Sequence, residues 1–182
     1  MPAPRMTTEE YLKLPEKVVP EELVYGLVRS AASPTPGHQW VLGRLFLALT
    51  RHVEKHRSGR LWPAPLDVVL DRERGLIVQP DLLYVSLERM RLVTDRVWGP
   101  PDLVLEILSP RPRIGTLDER IAWFAEYGVR ECWLVHQHPR EVEVLQFERG
   151  AVANRTTFEA DAPIRSSVLP TFNASLEEML GS

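Results

Sequence analysis

Two carboxylates interrupt the most strand-like segments of this chain: Asp81 in Val78-Gln79-Pro80-Asp81-Leu82-Leu83-Tyr84-Val85, and Glu106 in Leu103-Val104-Leu105-Glu106-Ile107-Leu108. A carboxylate inside a half-buried strand loses solvation worth several kcal/mol unless a partner restores it. Two acids that converge on a divalent cation recover that loss, so the pair points to a metal site; either acid alone could instead face solvent or pair with an arginine. Geometry selects which acids cooperate. Asp102 and Glu106 lie four apart on one strand, on one face but about 13 Å from each other at about 3.3 Å per residue. Asp81 and Glu106 lie on different runs, and neighbouring strands are about 4.8 Å apart, so these two can converge. Together with a backbone carbonyl such as that of Ile107, they make an oxygen site suited to Mg²⁺, or to Mn²⁺ in its place, which takes few carboxylates and keeps its waters for substrate phosphate.

At 182 residues and 44% hydrophobic, the chain is expected to form one domain, residues 1–182, around a single core. Its net charge of −3 gives no global attraction to nucleic acid, so any such contact must be local. A lone Cys132 excludes an internal disulfide and a multi-cysteine zinc site, and its place between Glu131 and Trp133 suggests a packing residue. No apolar run approaches the roughly 20 residues that span a bilayer. The start, Met1-Pro2-Ala3-Pro4-Arg5-Met6, lacks the apolar stretch of a leader, which places the chain in the cytoplasm with no membrane partner.

Thr7-Thr8-Glu9-Glu10 reads as a capping box opening a helix over about 8–14, and Glu22 to Ala32 as a strand or hairpin turning near Gly26. Apolar residues at 41, 42, 45, 46, 49 and 53 predict a long amphipathic helix from His38 to about Arg57. Three β-type runs follow, Leu61 to Leu70, Leu76 to Val85 and Leu103 to Leu108, and read as the centre of a sheet. Thr116 to Tyr127 returns to helical spacing, with Gly128 at the C-cap. Glu131 to His136 and Glu141 to Phe147 predict a hairpin turning at Pro139, followed by strands near 151–158 and a short helix near 174–180.

Several blocks carry a resemblance over most of the chain: Glu22-Leu23-Val24 with Gly26, Ser33-Pro34 with His38-Gln39, Val78-Gln79-Pro80-Asp81-Leu82, Pro101-Asp102-Leu103-Val104-Leu105-Glu106-Ile107-Leu108-Ser109-Pro110, and Tyr127-Gly128-Val129-Arg130-Glu131-Cys132-Trp133-Leu134-Val135. In their order and spacing the chain resembles the Uma-type endonucleases, a bacterial group within the PD-(D/E)XK restriction-endonuclease-like superfamily. The resemblance implies an α/β (α+β) fold with a restriction-endonuclease-like core, a mixed β-sheet flanked by α-helices. It implies Asp81 and Glu106 as the signature acids and metal ligands, Glu22 as a supporting acid, nucleic acid, DNA first, as partner, and a homo-oligomer, a dimer or higher. Members carry a lysine on the helix after the glutamate strand, where this chain has Arg120 in Asp118-Glu119-Arg120-Ile121. A lysine can orient water and exchange a proton, whereas an arginine stays charged and serves only to hold phosphate or stabilise its transition state. Only Lys13, Lys17 and Lys55 are lysines, so Lys55 on the long helix is the one candidate substitute.

His38, at the opening of the long helix, either touches phosphate or is an ordinary helix-terminus histidine. Gln79 would share the face of Asp81 on a regular strand. Arg111 and Arg113 follow the Glu106 strand without adjacent acids and are better placed to grip a phosphate backbone than Arg72 and Arg74, which neighbour Asp71 and Glu73. His136 and His138 alternate on one side of a strand and could hold a transition metal. Two readings follow: a Mg²⁺-dependent endonuclease, or a catalytically degenerate nuclease fold that binds nucleic acid or assembles with protein.

Overall fold

Prolines decide where the two long β-type runs break. The computed structural model describes residues 5–15, 19–109 and 114–181. Its elements in order are α1 (Thr8–Tyr11), β1 (Glu21–Val24), β2 (Leu27–Ser30), α2 (Pro36–His56), β3 (Gly59–Pro63), β4 (Val68–Asp71), β5 (Leu76–Val78), β6 (Leu82–Ser86), a 3₁₀ turn (Leu87–Leu92), β7 (Val97–Trp98), β8 (Leu103–Ile107), α3 (Leu117–Glu126), β9 (Glu131–Gln137), β10 (Arg140–Glu148), β11 (Ala151–Glu159) and α4 (Leu176–Leu180). The strands form two mixed sheets, one of five strands in the order β2-β1-β5-β4-β7 and one of six in the order β11-β10-β9-β8-β6-β3. The mixed β-structure with helices is as expected, but the runs from Leu61 and from Leu76 are not continuous strands: each leaves one sheet and enters the other. Pro63 and Pro65 interrupt the first and Pro80 the second, because proline has no N–H to give a ladder. The two breaks are joined by a bond from Ala64 N–H to the Asp81 carbonyl, 2.9 Å.

Local chemistry accounts for the remaining elements. The Thr7 capping box forms, although the helix after it stops at Tyr11. Tyr25 and Gly26 both take positive φ, 49° and 83°, in the two-residue turn joining β1 to β2, the geometry that tight hairpins require. Thr35 caps α2 and Thr116, in a second capping box, starts α3. The β9–β10 hairpin forms as expected, with Pro139 in its turn.

The six-stranded sheet separates two cores, and its side chains alternate between them. Leu82, Tyr84, Leu103, Leu105, Ile107, Trp133 and Val135 pack against α2 and α4. Leu83, Val85, Val104, Cys132 and Leu134 pack on the other side, with α3 and the five-stranded sheet. Glu106, between Leu105 and Ile107, therefore points with Val104 into the space between the sheets. Asp102 lies on that face at the opposite end of β8, fully buried, where it accepts bonds from Ser86 N–H at 2.8 Å and Arg89 at 3.2 Å and pairs with Arg130 at 3.0 Å. It is an anchor for the 3₁₀ turn, away from Glu106. Among the described residues no helix is long and apolar enough to cross a membrane.

Candidate functional site

The crossing segment Gln79-Pro80-Asp81 carries one acid to the seam between the sheets, and β8 carries the other. Leu82 pairs with Leu105 in the antiparallel register of β6 and β8, and one further step sets Asp81 opposite Glu106. Asp81 Oδ2 accepts the N–H of Ile107 at 2.7 Å, which ties it to the residue after Glu106, and Oδ1 meets His38 Nε2 at 3.1 Å. Ile107 thus enters the site through its amide, a contact that its expected role as a carbonyl donor did not anticipate. His38 reaches Asp81 because Thr35 and Pro36 start α2 beside the seam.

Arg120 joins the remaining acids. From α3 its Nη2 and Nε donate to Glu106 Oε1 at 2.7 and 3.1 Å, and its Nη1 donates to Glu22 at 2.8 and 3.0 Å and to the Ile114 carbonyl at 3.2 Å. Glu22, on β1, also accepts the Gln79 N–H at 2.6 Å. Exposure is 1% for Glu106, 2% for Glu22, 3% for Arg120, 5% for His38 and 9% for Asp81, so these polar groups answer to protein partners rather than to water. Burial opposes the guanidinium charge, but the carboxylates of Glu106 and Glu22 outweigh it and hold Arg120 above the ordinary arginine value. Arg120 cannot give up its proton here.

A cleft of about 850 Å³ opens onto this cluster, lined among others by Glu22, His38, Gln79, Asp81, Ile114 and Arg120. Glu106 is not among its lining residues, whereas Arg120, bonded to it, is. Gln79 departs from the regular-strand expectation: its amide group turns to Asp67, with Nε2 donating to Oδ1 at 2.8 Å. Arg96, 3.5 Å from the other Asp67 oxygen, also lines the cleft and was not singled out in the sequence. Lys55 is no substitute for a site lysine. It sits near the far end of α2, about 25 Å from His38 at about 1.5 Å per residue. Arg111 and Arg113, like Lys17, lie outside the described residues.

The other candidates resolve into pairs. His136 bonds to Glu143 at 2.7 Å, and among the described residues no group of three or more His, Cys, Asp or Glu side chains could hold a metal ion. Arg72 is paired with Glu9, and Arg74 with Glu126 and Tyr127. Cys132 is fully buried, and burial pushes its thiol well above the usual value.

A metal would meet a donor set of fitting chemistry. Glu22, Asp81 and Glu106 bring hard carboxylate oxygen to one cluster, the donor type a hard divalent cation takes. Without a third acid gathered on it, a cation here would rest on one or two carboxylates and retain places for water and phosphate, as Mg²⁺ does.

The whole architecture recurs in a crystal structure from Anabaena variabilis ATCC 29413, described as a putative nuclease belonging to DUF820, with a TM-score of 0.79 over 96% of this chain and 97% of that one at 20% identity. Among curated proteins, none matches in sequence. A family model described as Uma2, putative restriction endonuclease, matches residues 8–177. With nearly its whole length matched, and with the seam between two sheets holding the acids quoted above, the chain belongs to the Uma2 family of putative restriction endonucleases.

Proposed function

We propose that this protein is a metal-dependent endonuclease that hydrolyses phosphodiester bonds of nucleic acid, DNA first, in the cleft above Asp81. The observation that carries the reading is the convergence of Asp81 and Glu106 across the β6–β8 register, with Glu22 and Arg120 closing the cluster. Asp81 and Glu106 would hold Mg²⁺ or Mn²⁺, which when bound acidifies a water and neutralises charge on phosphate. Arg120 fixes Glu106 in place, and contributes positive charge at phosphate without exchanging a proton. His38 orients Asp81 from the wall of the cleft. A single domain, a dimer or higher homo-oligomer and a cytoplasmic setting belong to the same proposal.

The test is titration calorimetry with Mg²⁺ and Mn²⁺, followed by cleavage of plasmid and single-stranded DNA. Wild type is expected to bind metal and cleave, and Asp81→Ala and Glu106→Ala to lose both. Metal binding that persists in Asp81→Ala would sink the assignment.

One observation favours a second reading. Arg120 is engaged with both glutamates and lines the cleft where Glu106 does not, as expected of a degenerate site retained for nucleic-acid binding or assembly. On that reading wild type does not cleave, and Arg120→Lys creates or raises cleavage.

A further inference from the structure

On the opposite side of the first turn of α2 from His38 lies a second cavity, of about 170 Å³. Its wall is Trp40, half exposed at 50%, an unusual position for a tryptophan, whose ring is normally drawn into a core. Its floor is apolar: Val41, Val135 and Leu180 are all buried. Its rim is polar and positive. Gln137 and Arg140 face each other in the β9–β10 register, so their side chains share the face that carries Val135. Arg140 is exposed and has no ion pair among the described residues, whereas Arg72, Arg74, Arg130 and Arg155 each hold a carboxylate.

The pocket and the candidate active site are separate cavities that share the start of α2 as a border. His38 and Trp40 stand two residues apart on one helical turn, and Gln137 Nε2 donates to the carbonyl of Leu108, at 2.8 Å, two residues beyond Glu106. Thr35, His38 and Gln39 line the cleft and Gly37, Trp40 and Val41 line this pocket, so a strand crossing the first turn of α2 would pass from one to the other. An aromatic wall, an apolar floor and an unpaired cation at the rim suit an unstacked nucleobase with its phosphate, because every base has a face to stack and every linkage a charge to pair. We propose that Trp40, Gln137 and Arg140 form a subsite that stacks one base of single-stranded or locally opened nucleic acid beside the scissile position. The inference rests on the endonuclease reading for the place of the cleavage site, and names the substrate form that the cleft receives.

The experiment is fluorescence anisotropy of a labelled single-stranded oligonucleotide in EDTA, so that binding is read without metal or cleavage, with thermal melts to check folding. Trp40→Ala is expected to weaken binding by about 5- to 150-fold, the range for loss of one stacked base, and Trp40→Phe to keep most of the affinity. Arg140→Gln should flatten the slope of log K against log salt by about 0.7, the loss of one single-strand phosphate contact. Unchanged affinity in a folded Trp40→Ala overturns the subsite even if wild type cleaves DNA in Mg²⁺. Loss of self-association in that variant with nucleic-acid binding intact assigns the pocket to a protein contact and overturns it equally. Failure of metal-dependent cleavage is read in a separate assay and touches only the endonuclease reading.

Discussion

Arg120 is the residue whose removal should be felt most. It donates five hydrogen bonds, four of them to Glu106 and Glu22, in surroundings where neither acid has more than 2% exposure. Arg120→Ala takes this guanidinium away from both buried carboxylates, and breaking a buried pair in this way costs about 3–5 kcal/mol. For a chain of this length each kcal/mol lowers Tm by about 2–4 °C, so the expected fall is about 6–20 °C. Arg120→Lys retains the charge but replaces the planar fork by a point charge that cannot span both glutamates, and should cost less, about 1–2 kcal/mol. Urea denaturation at pH 7 in EDTA, followed by far-UV circular dichroism, measures both. If Arg120→Ala lies within about 1 kcal/mol of wild type at unchanged m-value, the acids are not held as a buried ionised cluster, and the electrostatic account of the site fails.

Other outcomes follow from the same structure. Asp102→Ala should cost about 3 kcal/mol by urea denaturation, because it strips Arg89 and the Ser86 amide of a fully buried acceptor. Glu143 loses some solvation by burial, but bonds from Arg155 and His136 outweigh that and hold its carboxyl below the usual value. Its contribution is therefore present above the ordinary glutamate pKa and lost as pH falls through the lower folded value. Glu143→Gln should cost about 0.5–1 kcal/mol at pH 7 and nothing once both states are protonated, as read from urea midpoints across pH. Cys132 should resist alkylation by iodoacetamide in the native state and react fully in denaturant, since its thiol is buried and its pKa raised.

Much of the architecture was legible because it is local. The capping boxes at Thr7 and Thr116, the 3.6-residue stripe of α2 and the turn at Gly26 each state their conformation within a few residues, through hydrogen bonds and φ preferences that need no distant partner. Asp81 and Glu106 stood out for the same reason: charge in a β-type run is costly wherever the run ends up. The splitting of the Leu61 and Leu76 runs between two sheets was less visible, although Pro63, Pro65 and Pro80 were its signal.

By itself, then, the sequence determined the helices, the hairpins, the alternation that turns Glu106 away from Leu105 and Ile107, and the presence of an arginine, Arg120, on the helix that follows the Glu106 strand. Only the tertiary structure decided what that arginine does. Glu22, Glu106 and Arg120 come from β1, β8 and α3, separated by up to 98 positions, and no periodicity reports which charges meet across a seam between sheets. Their pairing is settled by the packing of α3 and the five-stranded sheet on one face of the six-stranded one, because buried charges must find one another wherever that packing brings them within reach.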